Sequence, residues 1–88
     1  MDPNEIAWKW MNHETNFYDL SAIIHDALEQ GEKPAEIGNR LMRYFYDQTP
    51  FFGEDSFWVE LLGVCMERVG WTALARRAIA EIDEAEAA

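Results

Sequence analysis

Leu20, Ile24, Ala27 and Leu28 recur at spacings of four, three and one, and Ile37, Leu41, Tyr44 and Phe45 repeat the arrangement. This is the pattern of helices with one buried side, and no stretch alternates polar and apolar residues as a half-buried strand would. Five helices follow. The first is predicted from residue 3 to about 11, because Asp2 is a capping residue, Pro3 suits the first helical position and Glu5 complements the dipole. Ile6, Trp10 and Ala7 are its expected inward residues, and residues 12–15 break it. Asn16 is expected to cap a second helix running to Gln30, with Asp19 at its third position and Gly31 as its stop. Its inward side is Phe17, Leu20, Ile24, Ala27 and Leu28, and Asp19, Asp26 and Glu29 fall on the opposite side.

Gly31-Glu32-Lys33-Pro34 forms a turn that opens the third helix at Pro34. Ile37, Leu41, Tyr44 and Phe45 are its buried side, while Glu36/Arg40 and Arg43/Asp47 are i,i+4 pairs on its outer side. Residues 49–55 make the longest irregular connection, with Phe51 and Phe52 side by side. Two adjacent aromatics in one loop predict one folded back as a plug and one offered to an interface. Asp55 or Ser56 caps a fourth helix, 57–69, whose arc of Trp58, Leu61, Leu62, Cys65, Met66 and Val69 spans nearly half its circumference. That breadth predicts the central helix, with Gly63 marking the close approach of a neighbour. Gly70 ends it and Thr72 caps the fifth, in which Trp71, Ala75, Ala78, Ile79 and Ile82 point inward until the acidic residues 81–88 fray. The expected fold class is all-α: a compact bundle of four to five short helices forming one domain over residues 1–88.

An 88-residue chain has little interior, and the four Trp, five Phe and three Tyr compensate because each aromatic buries a large area. No run of about 18 apolar residues exists to span a membrane, and the acidic start at Asp2 and Glu5 is unlike a basic leader. The single Cys65 forms no internal disulfide, which fits a reducing cytoplasm. Net charge is −10 and uneven: −5 over residues 1–30, −4 over 81–88, near zero between. A field of that sign repels nucleic acid and anionic lipid and draws in basic surfaces.

Candidate chemistry is sparse. His13 and His25 lie twelve residues apart with one Cys and no paired spacing, so neither metal nor cofactor is expected. There is no phosphate loop, nucleophile elbow or His-Glu-x-x-His pattern, and no carboxylate is flanked so as to raise its pKa, so no catalytic residue is assigned. Residues 64–79 have a helix-turn-helix skeleton around Gly70, with Arg76 and Arg77 on the second helix. Glu81, Asp83 and Glu84 offset those bases, which weakens the case for a transcriptional regulator. Asp19, Asp26 and Glu29, together with Glu81, Asp83 and Glu84, are the candidate partner-binding acids, able to imitate phosphates or simply to keep a small protein solvated. Phe51 and Phe52 are the candidate apolar anchors. The expected partner is a protein with a basic surface, with no direct contact to nucleic acid or membrane; a homodimer or larger assembly burying the aromatic surplus is the other reading.

Two stretches add a resemblance. Trp10-Met11-Asn12-His13-Glu14-Thr15, and Glu60-Leu61-Leu62 with Val69-Gly70-Trp71-Thr72-Ala73-Leu74-Ala75, together resemble a group of short acidic accessory proteins carried by phages and plasmids. Those proteins open with N-G-W-T-N-x-E-T-W and close with D-L-L…V-x-W-x-x-[IL]-A; here Asn12, Glu14 and Thr15 match, and Asn16 stands where they have Trp. The resemblance implies an accessory gene of a mobile element acting in the host cytoplasm. By analogy it also implies an inhibitor of host defence, anti-restriction- or anti-CRISPR-like, that occupies a nucleic-acid-binding surface.

Overall fold

The computed structural model describes residues 2–48 and 57–87. Among the described residues five helices make an all-α bundle: α1 (Pro3–Met11), α2 (Glu14–Glu29), α3 (Pro34–Tyr46), α4 (Phe57–Arg68) and α5 (Trp71–Ala87). No strand occurs among the described residues, and none of their helices is long and apolar enough to cross a membrane.

Local chemistry fixes most of the ends. The Asp2 carboxylate accepts from the Asn4 N–H at 2.8 Å and Pro3 opens α1. At the close of α2, Glu32 N–H donates to the Ala27 carbonyl (3.0 Å) and Gly31 N–H to that of Leu28 (3.0 Å). This Schellman closure needs a left-handed residue, and Gly31 supplies φ +74°. Two predicted caps are corrected. α2 begins two residues before Asn16, because His13 Nδ1 accepts from the Thr15 N–H at 3.2 Å while Asn12 Nδ2 closes α1 on the Trp8 carbonyl at 2.9 Å. Asn16 is instead buried in the first turn of α2. α5 likewise starts before Thr72, since Leu74 N–H already donates to the Gly70 carbonyl at 3.0 Å. The helix then continues through Ala87, past the point where its acidic end was expected to fray.

The core consists of Met11 from α1, Leu20, Ile24 and Ala27 from α2, Ile37 and Leu41 from α3, and Trp71, Leu74 and Ala75 from α5. Its centre is the α3–α5 seam, where α3 passes with Gly38 against the backbone of Trp71 and Thr72. The expectation that α4 is central is therefore overturned. No α4 residue with a described side chain is fully buried, Leu61 and Val64 are exposed, and Met66 only flanks the core. Among the described residues nothing lies within 4 Å of where a Cβ on Gly63 would sit; the glycine that permits close approach is Gly38. A broad apolar arc reports how much of a helix could be covered, whereas a small residue inside a narrower arc lets backbones meet.

Three inward assignments also change. α1 turns Met11 into the core with Ala7 and Trp8 behind it, leaving Ile6 and Trp10 exposed, and on α2 Phe17 is exposed as well. α1 is oriented by contacts at sequence distances no periodicity reveals. Gly70 N–H donates to Asn4 Oδ1 at 2.6 Å, and the Arg77 guanidinium lies 3.9 Å from the Trp8 ring centre while reaching Glu5 at 3.7 Å.

Buried Asn16 is satisfied from both ends: Nδ2 donates to the Trp10 carbonyl at 2.8 Å, and Oδ1 lies 3.2 Å from the Tyr44 hydroxyl. The hydroxyl has one proton and a second acceptor, Asp19 Oδ2, also at 3.2 Å. Partial burial pushes the Tyr44 phenol up, and the hydrogen bond to Asp19 adds to the rise against a smaller opposing effect from Gln48. Because the folded state holds this proton more tightly than the unfolded chain, the associated stability is present below the ordinary tyrosine range near pH 10 and is lost above it. Tyr44→Phe leaves a buried amide oxygen without its donor and should cost about 1–2 kcal/mol in urea unfolding at neutral pH. The gap to wild type should narrow as pH rises through 10; a constant gap would mean that the phenol proton plays no part.

Candidate functional site

The predicted partner-binding acids do not assemble into one face. Asp19 and Asp26 share the side of α2 that meets α3, where both are engaged. Asp19 faces the Tyr44 hydroxyl, and Asp26 Oδ2 accepts from Arg40 Nη1 at 3.2 Å and from Gln30 Nε2 at 2.9 Å. Arg40 also grips both oxygens of Glu32, Nε donating to Oε1 at 3.0 Å and Nη2 to Oε2. The paired carboxylates raise the Arg40 guanidinium pKa further, its hydrogen bond to Glu32 first. The expected Glu36/Arg40 pair is thus replaced: Glu36 turns back to accept from the Lys33 N–H at 3.3 Å at the start of α3. No ion pair joins Arg43 to Asp47 among the described residues. A helix wheel finds i,i+4 neighbours and cannot see a carboxylate arriving from the preceding turn.

Glu29 is exposed near the end of α2, and Glu81, Asp83 and Glu84 are exposed on α5. Glu81 lines a groove on the face of α2 opposite Asp19 and Asp26. The acids therefore give the body negative potential on several sides. A single row at phosphate spacing is not what they form, since Asp26 is held by Arg40 and Asp19 by Tyr44. Phe51 and Phe52, the Asp55/Ser56 cap and the Trp58 side chain lie outside the described residues.

Two apolar hollows, neither of them foreseen, lie between the helices. One of about 420 Å³ is bounded by Ile6 and Trp10 of α1, Phe45 of α3, Cys65 and Met66 of α4, and Trp71. The second, about 280 Å³, is the groove between α2 and the end of α5, lined by Phe17, Ser21, Ile24, Ala78, Ile82 and Ala85, with Trp8 of α1 beside them. Exposed Phe17 is an inward residue by periodicity alone, because it shares a face with Leu20 and Ile24. The signal available was that Glu14 and Ser21 share that face too.

His13 and His25 are exposed, and no cluster of three metal-binding side chains occurs among the described residues. Cys65 is exposed, which corrects its assignment to a buried arc. No protein-family model, curated protein or solved structure matches this chain. The fold and surface of the described residues define the class: an acidic all-α bundle with apolar hollows between its helices.

Proposed function

We propose that this chain is a non-catalytic binding protein that docks on a basic surface of another protein. We further propose that it acts as an inhibitor of a host-defence or nucleic-acid-binding protein, of the anti-CRISPR or anti-restriction kind carried by phages and plasmids, working in the host cytoplasm. The observation that carries this reading is the poverty of internal neutralisation. Three ion pairs join the described residues, and they engage Glu5, Asp26 and Glu32, while Glu29, Glu81, Asp83 and Glu84 stand exposed without one. Unpaired surface acids add little to stability and repel each other, so their best use is in encounter: a negative body raises the rate at which a basic partner finds it. Since Asp19 and Asp26 are engaged within the fold, steering is better supported than imitation of a phosphate row.

The helix-turn-helix alternative is less well supported. The first turn of α5 packs against α3 through Trp71 and Thr72, and Arg77 already has Trp8 and Glu5 as partners, which leaves Arg76 as the base of that helix without an ion pair among the described residues. A homo-oligomeric structural or assembly protein that buries its aromatic surplus between copies is the other interaction reading.

The test is affinity capture from a lysate of the cell in which the protein acts. Wild type is compared with a variant carrying Glu29→Gln, Glu81→Gln, Asp83→Asn and Glu84→Gln. A basic protein should be retained by wild type, released as salt rises from about 50 to 500 mM through Debye screening, and largely lost by the variant. Retention by both proteins irrespective of salt, or retardation of DNA by the isolated protein in a gel shift, would overturn the reading.

A further inference from the structure

The α2–α5 groove has a floor and a rim of different chemistry. Buried Leu20 and Ile24 and half-buried Ile82 form the floor, and the small residues Ser21, Ala78 and Ala85 leave room for another backbone to approach. Glu81 lines it, Glu84 follows one turn later on α5, and Glu14 precedes Phe17 by one turn on α2; all three are exposed. The bases Arg77 and Lys9 are both engaged with aromatic rings of α1. Arg77 is held by Glu5 over the Trp8 ring, and the Lys9 ammonium lies over Trp10 at 5.7 Å. Along each helix the lining spans seven residue steps, from Phe17 to Ile24 and from Ala78 to Ala85, which is about 10 Å, or two helical turns.

We propose that this groove takes a short amphipathic, basic helix of a partner protein: two apolar residues a turn apart set into the floor, with Arg or Lys on the flanks meeting Glu14, Glu81 and Glu84. The inference rests on the function proposed above and gives it a place and a partner chemistry. Charge complementarity selects the occupant. A second copy would bring a chain of net charge −10 and its own acidic rim against this one, and an anionic lipid surface is repelled for the same reason. Helical walls of this length suit the helix-in-groove mode, in which apolar anchors supply affinity and flanking charges select the partner.

The probe is a synthetic 15-residue helical peptide with leucines at i, i+4, i+7 and i+11 and arginines on both flanks; a control peptide carries glutamate for every arginine. Binding is read by fluorescence anisotropy at fixed, low salt. The arginine peptide should bind, and Glu81→Lys with Glu84→Lys should weaken it roughly tenfold or more. Ala85→Trp, which fills the groove from an exposed helical position, should abolish binding. Glu60→Lys with Glu67→Lys, the same change in net charge placed on α4, should weaken binding about twofold at most, through the screened long-range field alone. Equal weakening by the α4 pair, or undiminished binding to Ala85→Trp, would show that basic helices are attracted elsewhere on the body and would overturn the groove while leaving the acidic-docking function intact. Failure of the arginine peptide to bind any form of the protein, or equal binding of the glutamate peptide, overturns the groove too; absence of any salt-sensitive basic partner from the wild-type lysate capture would instead mark failure of the broader function. A drop in molecular mass by light scattering in Ala85→Trp would identify a second copy as the occupant and equally overturn the proposal.

Discussion

Leu41→Ala is expected to destabilise the bundle by about 3–4 kcal/mol and to lower its melting temperature by roughly 15 °C or more. Leu41 is 0% exposed at the middle of α3, between the α2 and α5 contributions to the core, and the backbone approach at Gly38 leaves the surrounding helices little freedom to close on a cavity. A domain of 88 residues has on the order of 4–13 kcal/mol in total, so this single truncation should bring partial unfolding near physiological temperature. The informative comparison is Leu61→Ala on α4. Leu61 is 43% exposed, and its removal should cost no more than about 1 kcal/mol. Thermal or urea unfolding of the two variants side by side distinguishes a bundle centred on α3 from one centred on α4. Equal losses would mean that α4 carries the core.

Gly38→Ala should be destabilising even though alanine is the better helix former. In an open helical position the exchange gains about 1 kcal/mol from propensity and reduced unfolded-state entropy. At Gly38 the new Cβ would lie 2.8 Å from the Trp71 carbonyl carbon and 2.9 Å from the Thr72 nitrogen. These are backbone atoms, so no rotamer change relieves the clash and α3 must move off α5. Overpacking of this kind costs about 1–3 kcal/mol or more, and separation of the principal helix pair puts it at the upper end; the net loss should be about 2 kcal/mol. Gly63→Ala is the control with the opposite sign, because nothing among the described residues lies within 4 Å of its Cβ position: it should stabilise by about 0.5–1 kcal/mol. Urea midpoints for the two variants decide the matter, and a stabilising Gly38→Ala would contradict the close contact between α3 and α5.

Both results bear on the proposed function. The groove between α2 and α5 exists because α5 packs chiefly on α3, leaving its last turns beside α2 without closing on it. A variant that loosens the α3–α5 seam should therefore alter the groove as well, and for that reason the groove is better tested from its exposed rim at Glu81, Glu84 and Ala85.

What the sequence determined by itself is local. The five helices, the Asp2 cap, the Pro3 and Pro34 starts and the Gly31 stop are written in neighbouring residues, because capping and turn chemistry act over three to five positions. The acidic surplus is likewise a property of composition. What only the tertiary structure decided depends on which helix meets which: that Gly38 rather than Gly63 is the close approach, that Asn16 is a buried partner of Tyr44 rather than a cap, and that Arg40 reaches back to Asp26 and Glu32. The wheel of α2 puts Phe17 beside Leu20 and Ile24, yet only the unfilled space between α2 and α5 leaves it at the edge of a groove. Periodicity defines a face, and the contacts between separate helices determine whether that face is covered.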